Sequence, residues 1–270
     1  MKSILIIPVN YNSYYSLKSY LESIEISLNA VGKSELAVDV VVADNSSEKE
    51  TIDNSYKYIR KFEVISIDNK GYFGGAFEVS NSIKSIVQYD YVIISNVDLR
   101  VDESFFSILA SKQLTEEIGW LAPAILSKQE NRDMNPKIAN RYSKRQMQLL
   151  LMMYKYPIIK SIYLKTMHKA KHRDEIVNLD EKDIYAGHGA MFILTKSFVS
   201  KNLHLEYPVF LYGEEIYMGE EMRLCGLRTR YIPSLKVYDD AHVSTGTIKR
   251  SQNSRYNVEA MTYLLKKYYE

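Results

Sequence analysis

The stretch that most constrains the fold is the run YDYVIISNVDLRVD at residues 89–102. Its apolar centre, VII at residues 92–94, predicts a strand that is buried on both faces of a sheet. The run turns polar at residues 95–98, and in open α/β sheets ligands bind at the edge where the strands end. Asp98, with the amide of Asn96 two residues before it, offers the hard oxygen ligands that Mg²⁺ and Mn²⁺ prefer. The same Asp98 would also suit a cap on the following helix or turn.

Two earlier stretches share this pattern of an apolar strand that ends in polar residues. Residues 3–9 are followed by Asn10, and residues 38–43 are followed by Asp44. The segments between the apolar runs predict a further strand at 62–67 and helices at 16–28, 50–61 and 77–87. This alternation of strands and helices predicts an α/β fold with a parallel sheet and right-handed crossovers.

The composition is that of a globular protein, with 46% hydrophobic and 25% charged residues. The formal net charge of +2 argues against a dedicated nucleic-acid binder. Cys225 is the one cysteine, so an intramolecular disulfide is impossible and a reducing compartment fits. The apolar run at residues 4–7 is too short for a signal-peptide core or a membrane span, and no later run is long enough either.

The second half of the chain carries two charged stretches of opposite sign. Residues 141–173 hold nine Lys or Arg residues and no Asp or Glu, and Pro157 is expected to divide them into two helices. This basic amphipathic segment suits an anionic membrane surface, although an ordinary solvated helical face fits the composition equally well. Residues 208–226 begin apolar and become acidic, with a predicted helix from Glu215 that stops at Gly226.

Three further stretches are less specific on their own. The loop DNKGYFGGA at residues 68–76 matches neither GxGxxG nor a P-loop, and a tight turn explains its glycines equally well. Residues 184–194 predict a strand entered through Gly-His-Gly, whose His188 either lines a pocket or is structural. Residues 255–269 predict a terminal amphipathic helix.

Taken together, the order of motifs resembles the family 2 glycosyltransferases of the GT-A fold, especially their rhamnosyltransferase-like branch. The resemblance extends over about residues 4–246. Each motif is weak alone, but six in the family's order make a specific pattern: NYN at 10–12, ADNSS at 43–47, NKGYFGG at 69–75, SNVD at 95–98, FLYGEE at 210–215, and His242.

The resemblance implies a GT-A fold, which is a Rossmann-like, mostly parallel central sheet flanked by helices with a smaller acceptor-side part. It implies one glycosyltransferase domain over residues 1–270. Within that domain the expected parts are a nucleotide-sugar-binding half at 1–102, an acceptor and catalytic half at 103–246 with the basic insertion 141–173, and a C-terminal helix at 247–270.

The resemblance also implies residue roles. Asp44 is expected to accept a hydrogen bond from the imide N–H of uracil or thymine. The expected nucleotide-sugar-binding residues are Pro8, Asn10, Tyr11, Asp44, Asn69, Gly71 and Asn96. The expected ligands of Mg²⁺ or Mn²⁺ are Asp98 and His242. Glu215 is the expected catalytic base, Glu214 is the second candidate, and His188 is expected to line the acceptor pocket.

The chain departs from the family pattern at three points. The first acidic position of the metal motif is Asn96, the expected Asp of the acidic pair is Glu215, and the asparagines that often follow the glycine loop are replaced by Ala76 and Phe77. These departures bear on the donor sugar more than on the reaction. Without the resemblance, Glu215 also fits a carboxylate that stabilises the first turn of a helix.

The implied function is an inverting glycosyltransferase that moves a sugar from a UDP- or dTDP-sugar to a saccharide acceptor, lipid-linked, in bacterial surface polysaccharide synthesis. The expected location is cytoplasmic, peripheral on the inner face of the membrane. A sugar-phosphate nucleotidyltransferase is one alternative, but it would show an N-terminal glycine- and basic-rich loop that PVNYNSYY at 8–15 lacks. A catalytically silent GT-A binding module is another, and retention of Asp98, Glu215 and His242 counts against it.

Overall fold

The computed structural model describes residues 1–31, 36–156, 158–159, 180–202, 204–239 and 250–270. These residues form one sheet of ten strands, numbered β1 to β10 in chain order: Lys2–Asn10, Leu36–Asp44, Lys61–Ser66, Tyr91–Asn96, Leu99–Val101, Ile118–Ser127, Arg132–Asp133, Lys182–Ile184, Met191–Thr195 and Arg228–Asp239. Their α-helices, α1 to α7, are Tyr14–Val31, Gly71–Ser82, Phe105–Ser111, Lys144–Lys155, Lys196–Lys201, Glu214–Leu224 and Arg250–Tyr268. A short 3₁₀ turn covers Ile86–Gln88.

The strands lie in the order β3-β2-β1-β4-β9-β6-β10-β5, with β7 beside β6 and β8 beside β10. The first four strands are parallel to one another, and so are β6 and β10. Strand β9 is antiparallel to both of its neighbours, and β5 is antiparallel to β10. The predicted α/β fold with a mostly parallel central sheet flanked by helices is therefore confirmed.

The sheet is covered on both faces, so its central strands are apolar throughout rather than alternating. In β1, Ile4 and Ile6 pack into the core under α1 and α3, whereas Leu5 and Ile7 pack into the core under α2, α6 and α7. Strand β4 is likewise buried on both faces, as the apolar run at 92–94 predicted. The rigid centre of the sheet fixes the carboxyl ends of β1, β2 and β4 in register.

The predicted helix at residues 50–61 is wrong, because other groups satisfy its backbone donors. The Asp53 carboxylate accepts from the backbone N–H of Ser55 at 3.0 Å, which forms a local turn. The carboxylate of Glu25, on α1, accepts at 2.8–3.0 Å from three consecutive backbone N–H groups, those of Lys57, Tyr58 and Ile59. A side chain remote in sequence thus replaces the helical hydrogen bonds.

Other boundaries also differ from the predictions. Helix α2 begins at Gly71, inside the segment predicted as a loop. The single strand predicted at 184–194 is two strands, β8 and β9, with Gly-His-Gly between them. Strand β10 pairs with β6 in parallel, with register shifts between Arg228 and Thr229 and between Ile232 and Lys236. The predicted break at Pro157 lies outside the described residues.

None of the described helices combines the length and the apolar character needed to span a bilayer.

Candidate active site

The carboxyl ends of three neighbouring parallel strands bring together polar residues from three distant parts of the chain. Asn10 of β1 lies opposite Asp44 of β2, and Asn96 of β4 lies opposite Val9 of β1. Asp98 follows in the short connection between β4 and β5. These residues share one edge of the sheet because parallel strands in register end together, and this is the edge at which α/β proteins bind ligands.

Asp44 is the most heavily hydrogen-bonded carboxylate at this edge. Its Oδ1 accepts from Ser46 Oγ at 2.6 Å and from Asn10 Nδ2 at 3.1 Å. Its Oδ2 accepts from the Tyr14 hydroxyl at 2.9 Å and lies 3.4 Å from Lys49 Nζ. Burial alone would raise the pKa of Asp44, but the hydrogen bonds from Ser46, Tyr14 and Asn10 outweigh it and hold the pKa below the ordinary value.

This network determines how a nucleobase could reach Asp44. The residue is only 1% exposed, and the chain's own donors contact both carboxylate oxygens. The groups on Oδ2 come from Tyr14 and Lys49, whereas those on Oδ1 come from the buried Asn10 and Ser46. An incoming N–H group would therefore take the place of the Tyr14 hydroxyl or of Lys49.

The glycine loop is positioned against both the β2 edge and the acidic segment. Gly71 has φ +80°, and a Cβ at this position would lie 1.7 Å from the carbonyl oxygen of Phe210, so only glycine fits there. Asn69 Oδ1 accepts from the Gly71 N–H at 3.1 Å, and Asn45 Nδ2 donates to the Gly71 carbonyl at 2.9 Å. Motifs about 140 residues apart in the chain thus meet at one glycine, since Gly71 contacts Phe210.

The acidic pair follows a turn with unusual backbone geometry. Tyr212 (φ 74°) and Gly213 (φ 85°) both lie in the left-handed region, and Gly213 is the N-cap of α6. Such a conformation at a non-glycine residue is uncommon and concentrates at functional sites. Glu214 stabilises the turn, because its Oε1 accepts from the backbone N–H of Tyr212 at 3.0 Å.

The two glutamates of the pair differ in environment. Glu214 is buried, and burial together with the charge of Glu215 raises its pKa from 4.5 to about 8. Glu215 is half-buried and points to the Gly-His-Gly segment, where a Cβ on Gly189 would lie 3.1 Å from Glu215 Oε1. Glu214 therefore sits in the protein interior, while Glu215 has a carboxylate that is accessible to a ligand.

The other two glutamates of α6 have structural partners. Glu220 is fully buried and accepts from Arg141 Nε at 2.6 Å, Arg223 Nε at 2.8 Å and the Tyr185 hydroxyl at 2.8 Å. Glu221 accepts from Lys267 Nζ at 3.0 Å and from the Tyr268 hydroxyl at 2.5 Å. These contacts tie α6 to its neighbours and leave the first pair as the candidates for chemistry.

Tyr72 lies near both the predicted metal motif and the acidic pair. It follows Gly71 in α2, and its hydroxyl lies 3.5 Å from the Ala190 carbonyl. Burial raises the pKa of Tyr72 well above its ordinary value, and the charges of Glu214, Asp98 and Glu215 raise it further. The Ala190 carbonyl also accepts from the Asn96 N–H at 2.9 Å, and the adjacent Gly189 contacts Glu215, so Tyr72 lies close to both the predicted metal motif and the acidic pair.

His188 lies in the segment between β8 and β9. Its backbone N–H donates to Asn135 Oδ1 at 2.8 Å, and its Nδ1 accepts from the Ala190 N–H at 3.2 Å. A neutral imidazole that accepts at Nδ1 carries its proton on Nε2. The adjacent Gly189 contacts Glu215, so His188 and the candidate base lie on the same side of the site.

The other predicted site residues have fewer contacts that connect them with this site. Pro8 is buried in β1 opposite Ser95 of β4, while Tyr11 is 44% exposed just beyond β1. His242 lies outside the described residues. The described residues contain no group of three His, Cys, Asp or Glu side chains that could hold a metal by itself.

The donor set at the β4 edge nevertheless fits a Mg²⁺ or Mn²⁺ ion that a diphosphate shares. Asp98 is half-exposed and provides a hard carboxylate, and Asn96 provides an amide oxygen at the end of β4. Mg²⁺ is typically held by one or two carboxylates together with substrate phosphates rather than by a complete protein cage. Asp98 and Asn96 are the described residues that would hold the ion.

One cavity in the described part of the chain lies elsewhere. It has a volume of about 790 Å³ between α2, the segment before α6, and α7, and it is lined by residues that include Lys70, Phe77, Tyr207, Phe210 and Glu259. None of the predicted site residues lines it. The candidate site is therefore identified by its convergent polar groups and not by cavity size.

The structure adds four residues that the motifs alone did not single out as functional. Ser46 and Asn45 lie in the ADNSS motif, so the motif itself was the available signal. Tyr72 lies in the NKGYFGG motif, so that motif was the available signal, whereas Tyr14 is one tyrosine among 23 that no motif includes. Their importance comes from contacts with residues that are distant in the chain.

The fold is similar to that of several solved structures. S. aureus TarS has a TM-score of 0.54 at 14% identity, over 99% of this chain and 44% of TarS. A crystal structure of TarS 1–349 gives the same TM-score and identity over 72% of that chain. GalNAc-T7, solved with UDP, GalNAc and Mn²⁺, has a TM-score of 0.60 at 12% identity, over 98% of this chain and 48% of that one.

These neighbours are GT-A glycosyltransferases. The protein has the GT-A fold. At such low identity the likeness establishes the fold, and the chain spans less than half the length of full TarS and of GalNAc-T7. No family model and no curated protein sequence matches the chain.

Proposed function

We propose that the protein is an inverting glycosyltransferase of the rhamnosyltransferase-like branch of family 2. It transfers a sugar from a UDP- or dTDP-sugar to a saccharide acceptor, lipid-linked, in bacterial surface polysaccharide synthesis. The observation that carries this proposal is geometric: the Ala190 carbonyl accepts from the Asn96 N–H of the predicted metal motif at 2.9 Å, and the adjacent Gly189 packs against Glu215. The reaction needs one carboxylate to hold the metal ion and a second to act as the base, and Asp98 and Glu215 would take these two roles.

The nucleotide would bind at the ends of β1 and β2. Asp44 is kept ionised by its hydrogen bonds, so it can accept the imide N–H of uracil or thymine once Tyr14 or Lys49 yields its place. Tyr11 is exposed beside this position, so its ring could stack on the nucleobase. The Asn69–Gly71 turn would close over the donor.

The leaving diphosphate would lie near Asp98, Asn96 and, by the resemblance, His242. A divalent cation bound there would act as a Lewis acid that stabilises the negative charge developing on the diphosphate. Asp98 and Asn96 would orient the phosphates relative to the acidic pair, because Asn96 ends β4 and Asp98 follows it in the short connection to β5.

Glu215 is the better candidate for the base. An acceptor hydroxyl is a poor nucleophile, and a carboxylate that removes its proton contributes on the order of 10²–10⁴ in rate. Glu215 is accessible beside Gly189, whereas the carboxyl of Glu214 is buried and bonded to Tyr212. A base on the face opposite the leaving diphosphate activates the acceptor for a single displacement, and inversion follows.

The acceptor would approach from the Gly-His-Gly segment. His188 bears its proton on Nε2 when it is neutral, so it can donate a hydrogen bond to an acceptor hydroxyl near Glu215. A saccharide fits this role because its hydroxyls need several polar partners.

The test is nucleotide binding with and without metal. Calorimetry with UDP and dTDP should show binding that Mn²⁺ or Mg²⁺ strengthens, and Asp98→Ala should abolish the metal dependence while the fold is retained. A metal effect of unchanged size in Asp98→Ala would refute the assignment. A nucleotidyltransferase would instead form a sugar nucleotide from a nucleoside triphosphate and a sugar phosphate, and a silent module would bind UDP without any turnover.

A further inference from the structure

Helix α4, Lys144–Lys155, and the residues that follow it present apolar side chains to solvent. Leu149, Met152, Tyr156 and Ile158 are 37%, 46%, 48% and 76% exposed. Met152 follows Leu149 by three residues, and Tyr156 follows Met152 by four, so these side chains form one stripe along the helix. We call these four residues the outer stripe.

The outer stripe is not needed to attach α4 to the protein. The opposite side of the helix already packs on the core through Met147, Leu150, Leu151 and Tyr154. The Ser254 hydroxyl of α7 also donates to the Tyr154 carbonyl at 2.6 Å. A surface helix normally turns polar residues outward, so a second apolar face indicates contact with something outside the chain.

The charges around the outer stripe are positive. Lys144, Arg145 and Lys155 are exposed, and none of the three forms a salt bridge with a described residue. The first turn of α4 contains no acidic residue, although the helix dipole would favour one there. Ser143 and Gln146 satisfy the helix N-terminus by a neutral capping box. The chain has no Asp or Glu from residue 141 to residue 173.

We propose that the outer stripe docks on an anionic lipid bilayer. Leu149, Met152, Tyr156 and Ile158 enter the interfacial zone, and the exposed cations contact the anionic headgroups. An apolar stripe accompanied by exposed cations complements such a surface, because apolar insertion and charge attraction act in the same direction. The association is peripheral and does not depend on the proposed transfer reaction.

The test uses the full chain with vesicles of phosphatidylcholine alone or mixed with phosphatidylglycerol. The apolar variant is Met152→Ser with Ile158→Ser, and the charge variant is Arg145→Gln with Lys155→Gln. The matched control is Ile26→Ser, which removes a 56% exposed apolar side chain from α1. Binding is measured by co-sedimentation at low and high salt, and folding by thermal melting.

The wild-type chain and the control should bind the anionic vesicles, and salt should weaken the binding. The apolar variant should bind at least about tenfold more weakly. The charge variant should lose about fivefold for each cation removed, and only at low salt. The two variants change different side chains, so a folding defect in one leaves the other as the test.

Three results would overturn the proposal. Equal binding to neutral and anionic vesicles at low salt would show that the cations have no role. Wild-type binding by both double variants would show that this face is not the contact. Failure of the wild type to bind vesicles, with self-association that the apolar variant abolishes, would assign the stripe to a protein partner.

Discussion

The substitution Glu214→Gln should stabilise the folded protein relative to the wild type, by an amount that grows as the pH rises. The pKa of Glu214 is raised from 4.5 to about 8 by burial and by the charge of Glu215. The folded protein therefore binds this proton more tightly than the unfolded chain does. The carboxyl costs nothing below pH 4.5, and stability is lost progressively as the pH rises from about 4.5 to about 8, by on the order of 5 kcal/mol in total. Glutamine stays neutral and keeps an acceptor for the Tyr212 N–H, so it removes this loss.

Urea unfolding at several values between pH 5 and pH 8 measures the effect. The single tryptophan, Trp120, is fully buried and reports unfolding by its fluorescence. The free energy of unfolding of Glu214→Gln minus that of the wild type should grow with pH. Glu22→Gln changes an exposed glutamate of α1 and should give a difference that does not vary. A constant or shrinking difference for Glu214→Gln would show that the carboxyl is ionised in the folded protein and that the burial argument is wrong.

Three further predictions follow from single contacts. Glu215→Gln should lower kcat by ~10² or more with little change in nucleotide affinity, because it removes the proton acceptor alone. Steady-state kinetics measures this, and a kcat equal to that of the wild type would contradict it. Gly71→Ala should lower the free energy of unfolding, measured with urea, by on the order of 3 kcal/mol. The new Cβ would collide with the Phe210 carbonyl, and the backbone at φ +80° would be strained for alanine. Gly226→Ala has the strain (φ +65°) but open space around it, so an equal loss there would disprove the collision. Tyr14→Phe should bind UDP about threefold more tightly in calorimetry, because it removes a competing donor from Asp44; weaker binding would mean that Tyr14 contacts the nucleotide.

The central sheet could be predicted from the sequence because its strands are buried on both faces. The apolar runs of β1, β2 and β4 and the polar residues at their ends predicted both the strands and the shared edge. The parallel register that sets Asn10 opposite Asp44 follows from that topology. Here the local pattern and the tertiary structure agree.

Other features depended on contacts between distant residues, which periodicity does not contain. The segment at 50–61 is not helical because Glu25 supplies the acceptors for its backbone. The start of α2 at Gly71 depends on a close approach to Phe210. The position of Tyr72 and Asn96 at the shared Ala190 carbonyl depends on the packing of α2, β4 and the segment before β9. None of these features has a signal in a short window of sequence.

The most direct test of the proposed function is the release of nucleoside diphosphate from a panel of UDP- and dTDP-sugars with Mn²⁺ or Mg²⁺. The wild type should release UDP or dTDP slowly by hydrolysis from at least one donor and faster with the right acceptor. Glu215→Gln should release it ~10² times more slowly, and Asp98→Ala should lose the dependence on metal. If no donor yields a nucleoside diphosphate, or if Glu215→Gln and Glu214→Gln both turn over like the wild type, the proposed glycosyl transfer at this site is contradicted.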